Sequence, residues 1–171
     1  MELLFSKMFK SEHLPFVTNR QIHHWKEIKV LDDHRAYAAS GIKSRYSVFD
    51  IIWIKIISEM RAFRISNISI REVKKFLNSD TDAIEEPRAT ILKRLITETI
   101  LNSNSQFLVI TINGILKIVD RREYILMLTK GSLHHHFALD LDHLIWEVLL
   151  TLDFNKNIKS IIQQYQNTNN E

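Results

Sequence analysis

The chain has 171 residues, 45% of them hydrophobic and 25% charged, a balance that fits a folded protein and excludes a disordered or collagenous one. With no cysteine there is no disulfide framework, no thiolate metal site and no cysteine nucleophile. The net charge of +3 divides unevenly: residues 1–77 carry 14 Lys and Arg against 8 Asp and Glu, and residues 78–171 carry 9 against 12.

A basic first half joined to an acidic second half points to a polyanion partner for the first, with ordinary scatter of surface charge as the alternative. The longest apolar run, 48–57, is broken by Asp50 and Lys55 and is too short to cross a bilayer. Residues 1–10 lack the basic start, apolar stretch and small-residue cleavage site of an export signal, which predicts a cytoplasmic protein with no membrane partner. Glycine and proline are scarce, which favours helices over a turn-dense β fold.

In chain order, a weak helix is expected near 6–13. Thr18-Asn19-Arg20-Gln21, Ser47-Val48-Phe49-Asp50 and Ser69-Ile70-Arg71-Glu72 each place Ser or Thr three residues ahead of a side chain able to cap back. This spacing satisfies the amides left open at a helix start and predicts helices over 19–28, 48–64 and 70–77. Phe49, Ile52, Trp53, Ile56, Ile57, Met60 and Phe63 form one wide apolar stripe. Ile51 and Ile54 fall off it, so this helix is expected to be covered on more than one side. Between the first two helices, 32–46 reads as an exposed hairpin or wing carrying Arg35, Tyr37, Gly41, Lys43, Arg45 and Tyr46.

The polar, acidic run 78–87 is the predicted boundary, dividing a domain over 1–78 from one over 79–171. After it, 87–102 reads as a helix with Ile91, Leu92, Leu95, Ile96 and Ile100 on one face. Two β-rich runs, 107–112 and 115–120, flank Asn113-Gly114 and predict a hairpin with a type I′ turn. A short helix over 121–129 is stopped by Gly131, a strand runs over 133–141, and Asp142 caps a last helix over 143–151. The polar tail 163–171 is expected to fray.

The helix opening at Thr18 carries Arg20, Gln21, His23, His24 and Lys26 within two turns. Arg and Lys can bond guanine, and Gln adenine, on the major-groove edge. Ile22, Trp25 and Ile28 fall at the spacing of a buried face, which would anchor the helix while its polar face looks outward. Preceded by a short helix, it reads as helix-turn-helix, with a plain amphipathic surface helix as the bland alternative.

The order of elements over 5–77 resembles the DNA-binding domain of MerR-type transcriptional regulators, a winged helix-turn-helix family. Val17-Thr18 stands at the turn, and Gln21-Ile22-His23-His24-Trp25-Lys26 stands on the recognition helix. Val30-Leu31 closes it, Arg45-Tyr46-Ser47 ends the wing, and Asp50 opens the long helix. The run from Ser69 to Leu77 resembles the fourth helix. His23 and His24 replace the usual Arg and Tyr, Lys26 replaces an acid, and Lys29 and Arg64 stand where the family has glycine.

The resemblance implies that Arg20, Gln21, His23 and His24 face the major groove, and Thr18 and Asn19 at the helix start are expected DNA-binding residues with them. It implies that Arg35, Lys43, Arg45 and Tyr46 hold phosphates from the wing. Gln21 has a competing role as the partner of Thr18 in a capping box, and Arg45-Tyr46 one in packing or a salt bridge. Family members dimerise through a helix after this domain. Here 87–102 is the candidate, and packing on the chain's own hairpin is the alternative.

His134, His136 and Asp140 share one face of the predicted strand and form a weak metal candidate. No cofactor is expected. No catalytic triad, carboxylate pair or Gly-rich phosphate loop stands out, so no enzyme is expected.

The expected fold is mainly α with a small β component: an N-terminal winged helix-turn-helix, a linker helix, and a small α+β C-terminal domain with the Asn-Gly hairpin. The expected function is a sequence-specific DNA-binding transcriptional regulator, a homodimer on double-stranded DNA with the transcription machinery as a further candidate partner. The alternatives are a protein-recruitment module with a degenerate helix-turn-helix, and a mobile-element excision or replication factor.

Overall fold

The computed structural model describes residues 9–11, 14–32, 45–79, 90–102 and 105–152. They form a mixed α/β structure that is mostly helical, with six helices and two small antiparallel sheets among the described residues. None of these helices is long and apolar enough to cross a membrane. The chain divides into two compact units, one of Met1–Lys74 with Val148–Asn155, the other of Lys75–Glu147 with Lys156–Glu171. The predicted boundary run lies mostly outside the described residues.

In the first unit, β1 (Phe9–Lys10) pairs antiparallel with β2 (Arg45–Tyr46), Phe9 opposite Tyr46 and Lys10 opposite Arg45. The expected helix over 6–13 is therefore corrected where it is described. Residues 9–10 are extended because a partner more than thirty positions away supplies their hydrogen bonds, and such pairing overrides a weak local helix signal. The rest of the predicted wing, 33–44, lies outside the described residues.

Helix α1 (Asn19–Glu27) opens on a complete capping box. The Thr18 hydroxyl accepts from the Gln21 amide at 3.2 Å, and Gln21 Oε1 accepts from the Thr18 amide at 2.8 Å. Ile22 and Trp25 are buried. The helix ends in a Schellman motif: the Lys29 amide donates to the Lys26 carbonyl and the Val30 amide to that of Trp25, both at 3.0 Å.

Helix α2 (Val48–Ala62) opens on the same device, Ser47 and Asp50 bonding reciprocally at 2.9 and 3.1 Å. Ile51, Ile52, Ile54, Ile56 and Ile57 are all fully buried, so the helix is covered on more than one side, as expected. Trp53 Nε1 donates to the Val30 carbonyl at 3.0 Å, fixing α2 to the turn that follows α1. The helix stops two residues before its predicted end because Arg64 turns to a φ of 59°.

Helix α3 (Asn67–Leu77) starts three residues before prediction and buries Ile70, Val73 and Leu77. Ser66 takes the capping role assigned to Ser69, its hydroxyl accepting from the Ser69 amide at 3.1 Å. Two serines three apart offered two alternative starts, and the earlier one adds a turn.

In the second unit, α4 (Ile91–Asn102) buries Leu92, Leu95, Ile96 and Thr99. The sheet has the order β4-β3-β5, with β3 (Gln106–Thr111) central between β4 (Leu116–Asp120) and β5 (His136–Asp140). The predicted hairpin forms, but its type I′ turn does not. Ile110 pairs with Leu116, the Gly114 amide donates to the Thr111 carbonyl at 2.9 Å, and of the two turn residues only Gly114 has a positive φ, 77°. This is a three-residue loop with glycine at the left-handed position. The one-residue slip sets Val119 opposite Phe107, beside Val109 in the local core cluster, and leaves Asp120 at the strand end to cap the next helix. A Cβ at Gly114 would meet nothing within 4 Å, so Gly114→Ala isolates the backbone term. It is expected to lower stability by about 1 kcal/mol, read as a shift of the denaturation midpoint with unchanged slope.

Helix α5 (Arg121–Thr129) is capped by Asp120 and ends as predicted at Gly131, whose φ is 68°. The predicted strand over 133–141 is shorter, beginning at His136. Helix α6 (Leu141–Thr151) starts two residues earlier than expected. Its cap is Asp140, whose carboxylate accepts from the His143 amide at 3.0 Å, rather than Asp142. The strand thus feeds the helix without a loop.

Candidate nucleic-acid interface

The buried pair Ile22 and Trp25 holds one side of α1 in the core, so the other side is presented as a consequence of 3.6-residue periodicity. Thr18, Asn19, Arg20, Gln21, His23 and His24 are all exposed. Arg20, Gln21, His23, His24 and Glu27 line an open hollow of about 530 Å³. The structure therefore brings the predicted helix residues onto one accessible surface.

Their freedom differs. Gln21 Oε1 is engaged twice, by the Thr18 amide at 2.8 Å and the Thr18 hydroxyl at 2.9 Å. A bidentate contact with adenine needs both the oxygen and the amide nitrogen of glutamine, so in this geometry it would require opening the capping box. His24 Nδ1 lies 3.9 Å from Glu27 Oε2, a contact that becomes an ion pair when the ring is protonated. Glu27 was missed in the sequence reading, although its position three residues after His24 was a sufficient signal. An acid on this face can accept from cytosine N4.

The wing assignments separate. Arg45 is exposed. Tyr46 is only 2% exposed and sits in the core, so its predicted phosphate contact is corrected. Its ring instead receives Lys26, whose Nζ lies 5.5 Å from the ring centroid. Arg35 and Lys43 lie outside the described residues.

Two further cations join the first unit's surface by long-range contacts. Lys10 stands directly opposite Arg45 in the two-stranded ladder, which places two cations side by side. Arg71 of α3 donates from Nη1 to the Ile28 carbonyl at 3.3 Å, at the C-terminal end of α1. No local spacing could have placed either one there.

The metal candidates do not gather. His134 is exposed and lies ahead of β5 rather than on it, so the alternation that grouped it with His136 does not apply. His136 Nε2 is 3.0 Å from the Tyr124 hydroxyl, and Asp140 caps α6. Among the described residues no three His, Cys, Asp or Glu side chains are placed to hold a metal ion.

Among the described residues, Asp142 has a clearly perturbed carboxyl. Burial, then the neighbouring Asp140 charge, raise its pKa above 3.8, against the opposing effects of a Thr99 hydrogen bond and of His143. One of its oxygens, Oδ1, is buried without a hydrogen-bond partner among the described residues. A carboxyl whose pKa is higher folded than unfolded binds its proton more tightly in the native state, so its charge lowers stability as pH rises above the unfolded value. Asp142→Asn is expected to melt higher than the parent at neutral pH, and the difference should vanish in acid where both states are protonated. Thermal melts across pH check this; a gain that persists in acid contradicts it.

No protein family, no curated protein and no solved structure matches the chain.

Proposed function

We propose that the first unit is a sequence-reading DNA-binding module of winged helix-turn-helix type, similar to the MerR regulators, and that the protein acts as a homodimeric transcriptional regulator. The observation that carries this reading is α1: an exposed Arg20, His23 and His24 face on a helix whose opposite side is fixed by buried Ile22 and Trp25. Such a helix can enter a major groove without giving up its core contacts. The exposed Arg45, opposite Lys10, supplies a flanking positive site suited to backbone phosphate.

A second observation supports the same reading. The left-handed residues Lys29 and Arg64, at φ 60° and 59°, fall at the two positions where the MerR pattern has glycine. A positive φ is the conformation for which glycine is the usual residue, which supports the comparison with that pattern.

Selection of bound sequences from random duplex DNA, with the oligomeric state measured in parallel, tests the proposal. A palindromic enriched sequence bound by a dimer is the expected result. Recovery of no enriched sequence would remove sequence reading from the account.

Protein recruitment is the competing reading, favoured by the exposure of Ile112, Ile115, Ile125, Leu126 and Leu128 in the second unit. On that reading the chain binds a protein and shows no affinity for DNA.

A further inference from the structure

Helices α1 and α2 stop in the same way, with an uncommon residue at the turn. In α1 and in α2 the residue after the C-cap is left-handed, and both Schellman hydrogen bonds are formed. Glycine is the usual occupant, because in this conformation a Cβ is driven against the following carbonyl oxygen. Here the two positions hold Lys29 and Arg64 instead, both exposed.

Neither head group takes part in the hydrogen bonds that cap these helices. A cation near a helix C-terminus is attracted by the free carbonyl groups, but the carbonyls that close each turn accept from backbone amides and from other side chains, not from these two head groups. At α1, the Lys26 and Trp25 carbonyls accept from the Lys29 and Val30 amides, and the Ile28 carbonyl accepts from Arg71. At α2, the Arg61 and Met60 carbonyls accept from the Arg64 and Ile65 amides. Arg61 itself bridges the turn, its Nη1 donating at 3.1 Å to both the Ile65 carbonyl and Asn67 Oδ1. Among the described residues neither the Lys29 ammonium nor the Arg64 guanidinium has a hydrogen-bond or ion-pair partner.

We propose that Lys29 and Arg64 are phosphate-contacting residues of the DNA-binding unit, retained in strained left-handed positions for their charge. The inference rests on the DNA-binding reading of α1 and extends it to two residues outside the recognition face and the wing. A non-glycine residue held at a positive φ is an outlier of the kind that clusters at functional sites. Each cation is carried on a turn closed by its own hydrogen bonds, so its position is held by the fold while its head group remains in water.

Two substitutions at each position separate charge from strain. Lys29→Gly and Arg64→Gly remove both; Lys29→Gln and Arg64→Gln remove the charge and keep the strain. With the full chain, each glycine variant is expected to melt about 2–4 °C higher than the parent, and each glutamine variant close to it. All four are expected to bind a random-sequence duplex roughly tenfold more weakly near 0.1 M salt, with the slope of log affinity against log salt shallower by about one.

An unchanged slope in variants of a parent that does bind duplex DNA overturns this inference and leaves the reading of α1 intact. Glycine variants that melt lower than the parent also overturn it, because the positions are then not strained. A parent chain with no duplex affinity at any salt concentration removes the DNA-binding reading, and this inference with it.

Discussion

Arg20→Ala is expected to weaken binding to the selected duplex by about 1–3 kcal/mol, or roughly 5- to 150-fold, and to flatten the base preference at one position. Arg20 is the second residue of α1 and is exposed. The first turn of a recognition helix is the part that reaches base edges, and the bidentate fork of arginine matches the guanine acceptors in the groove. Its neighbour Gln21 has its carbonyl oxygen committed to Thr18, so on the proposed reading Arg20 is the side chain of that turn with the most freedom to meet a base. Because the side chain is exposed, stability should change by no more than about 0.5 kcal/mol. Competition between the selected duplex and a scrambled one measures the preference, and a melt measures the control. Equal discrimination in parent and variant would move the reading away from Arg20.

Ile54→Ala is expected to have the largest effect on folding, a loss of about 2–5 kcal/mol. Ile54 is fully buried, although it lies off the main apolar stripe of α2. Truncation there removes transfer free energy and leaves a cavity that a helix packed on more than one side cannot close by shifting. Against the 5–15 kcal/mol that holds a domain of ordinary size, such a loss would leave the first unit marginal and α1 unsupported, since Trp53 and Val30 join the two helices. Denaturant unfolding reads the effect. A loss below about 1 kcal/mol would mean that α2 is not buried on the Ile54 side.

The parts of the fold legible in the sequence are those settled within one helical turn. The boxes at Thr18 and Ser47 formed with both reciprocal hydrogen bonds, because cap and partner are three residues apart and need nothing else. Gly131 ended its helix for the same reason. The burial of Ile51 and Ile54 followed from an apolar pattern too wide for one face.

What was misread depended on choices between near neighbours or on distant partners. Ser66 and Ser69, or Asp140 and Asp142, offered equivalent caps, and the surrounding fold chose between them. The hairpin register was decided by where Val119 and Asp120 were useful, not by Asn113-Gly114. Residues 9–10 became a strand through Tyr46 and Arg45. The same pairing buried Tyr46 and put Lys10 beside Arg45, which no spacing argument could supply. At the candidate site, the helix residues were legible because one amphipathic helix carries them all, whereas Arg71 reaches α1 only through tertiary packing.

The central claim is that the basic first unit meets nucleic acid through charges grouped around α1. Titrating the full chain with duplex DNA across a range of salt concentrations tests it most directly. The account predicts that log affinity falls linearly with log salt, with a slope of roughly −3 or steeper, as several neutralised phosphates require. Affinity that does not change with salt, or no binding at low salt, would contradict it.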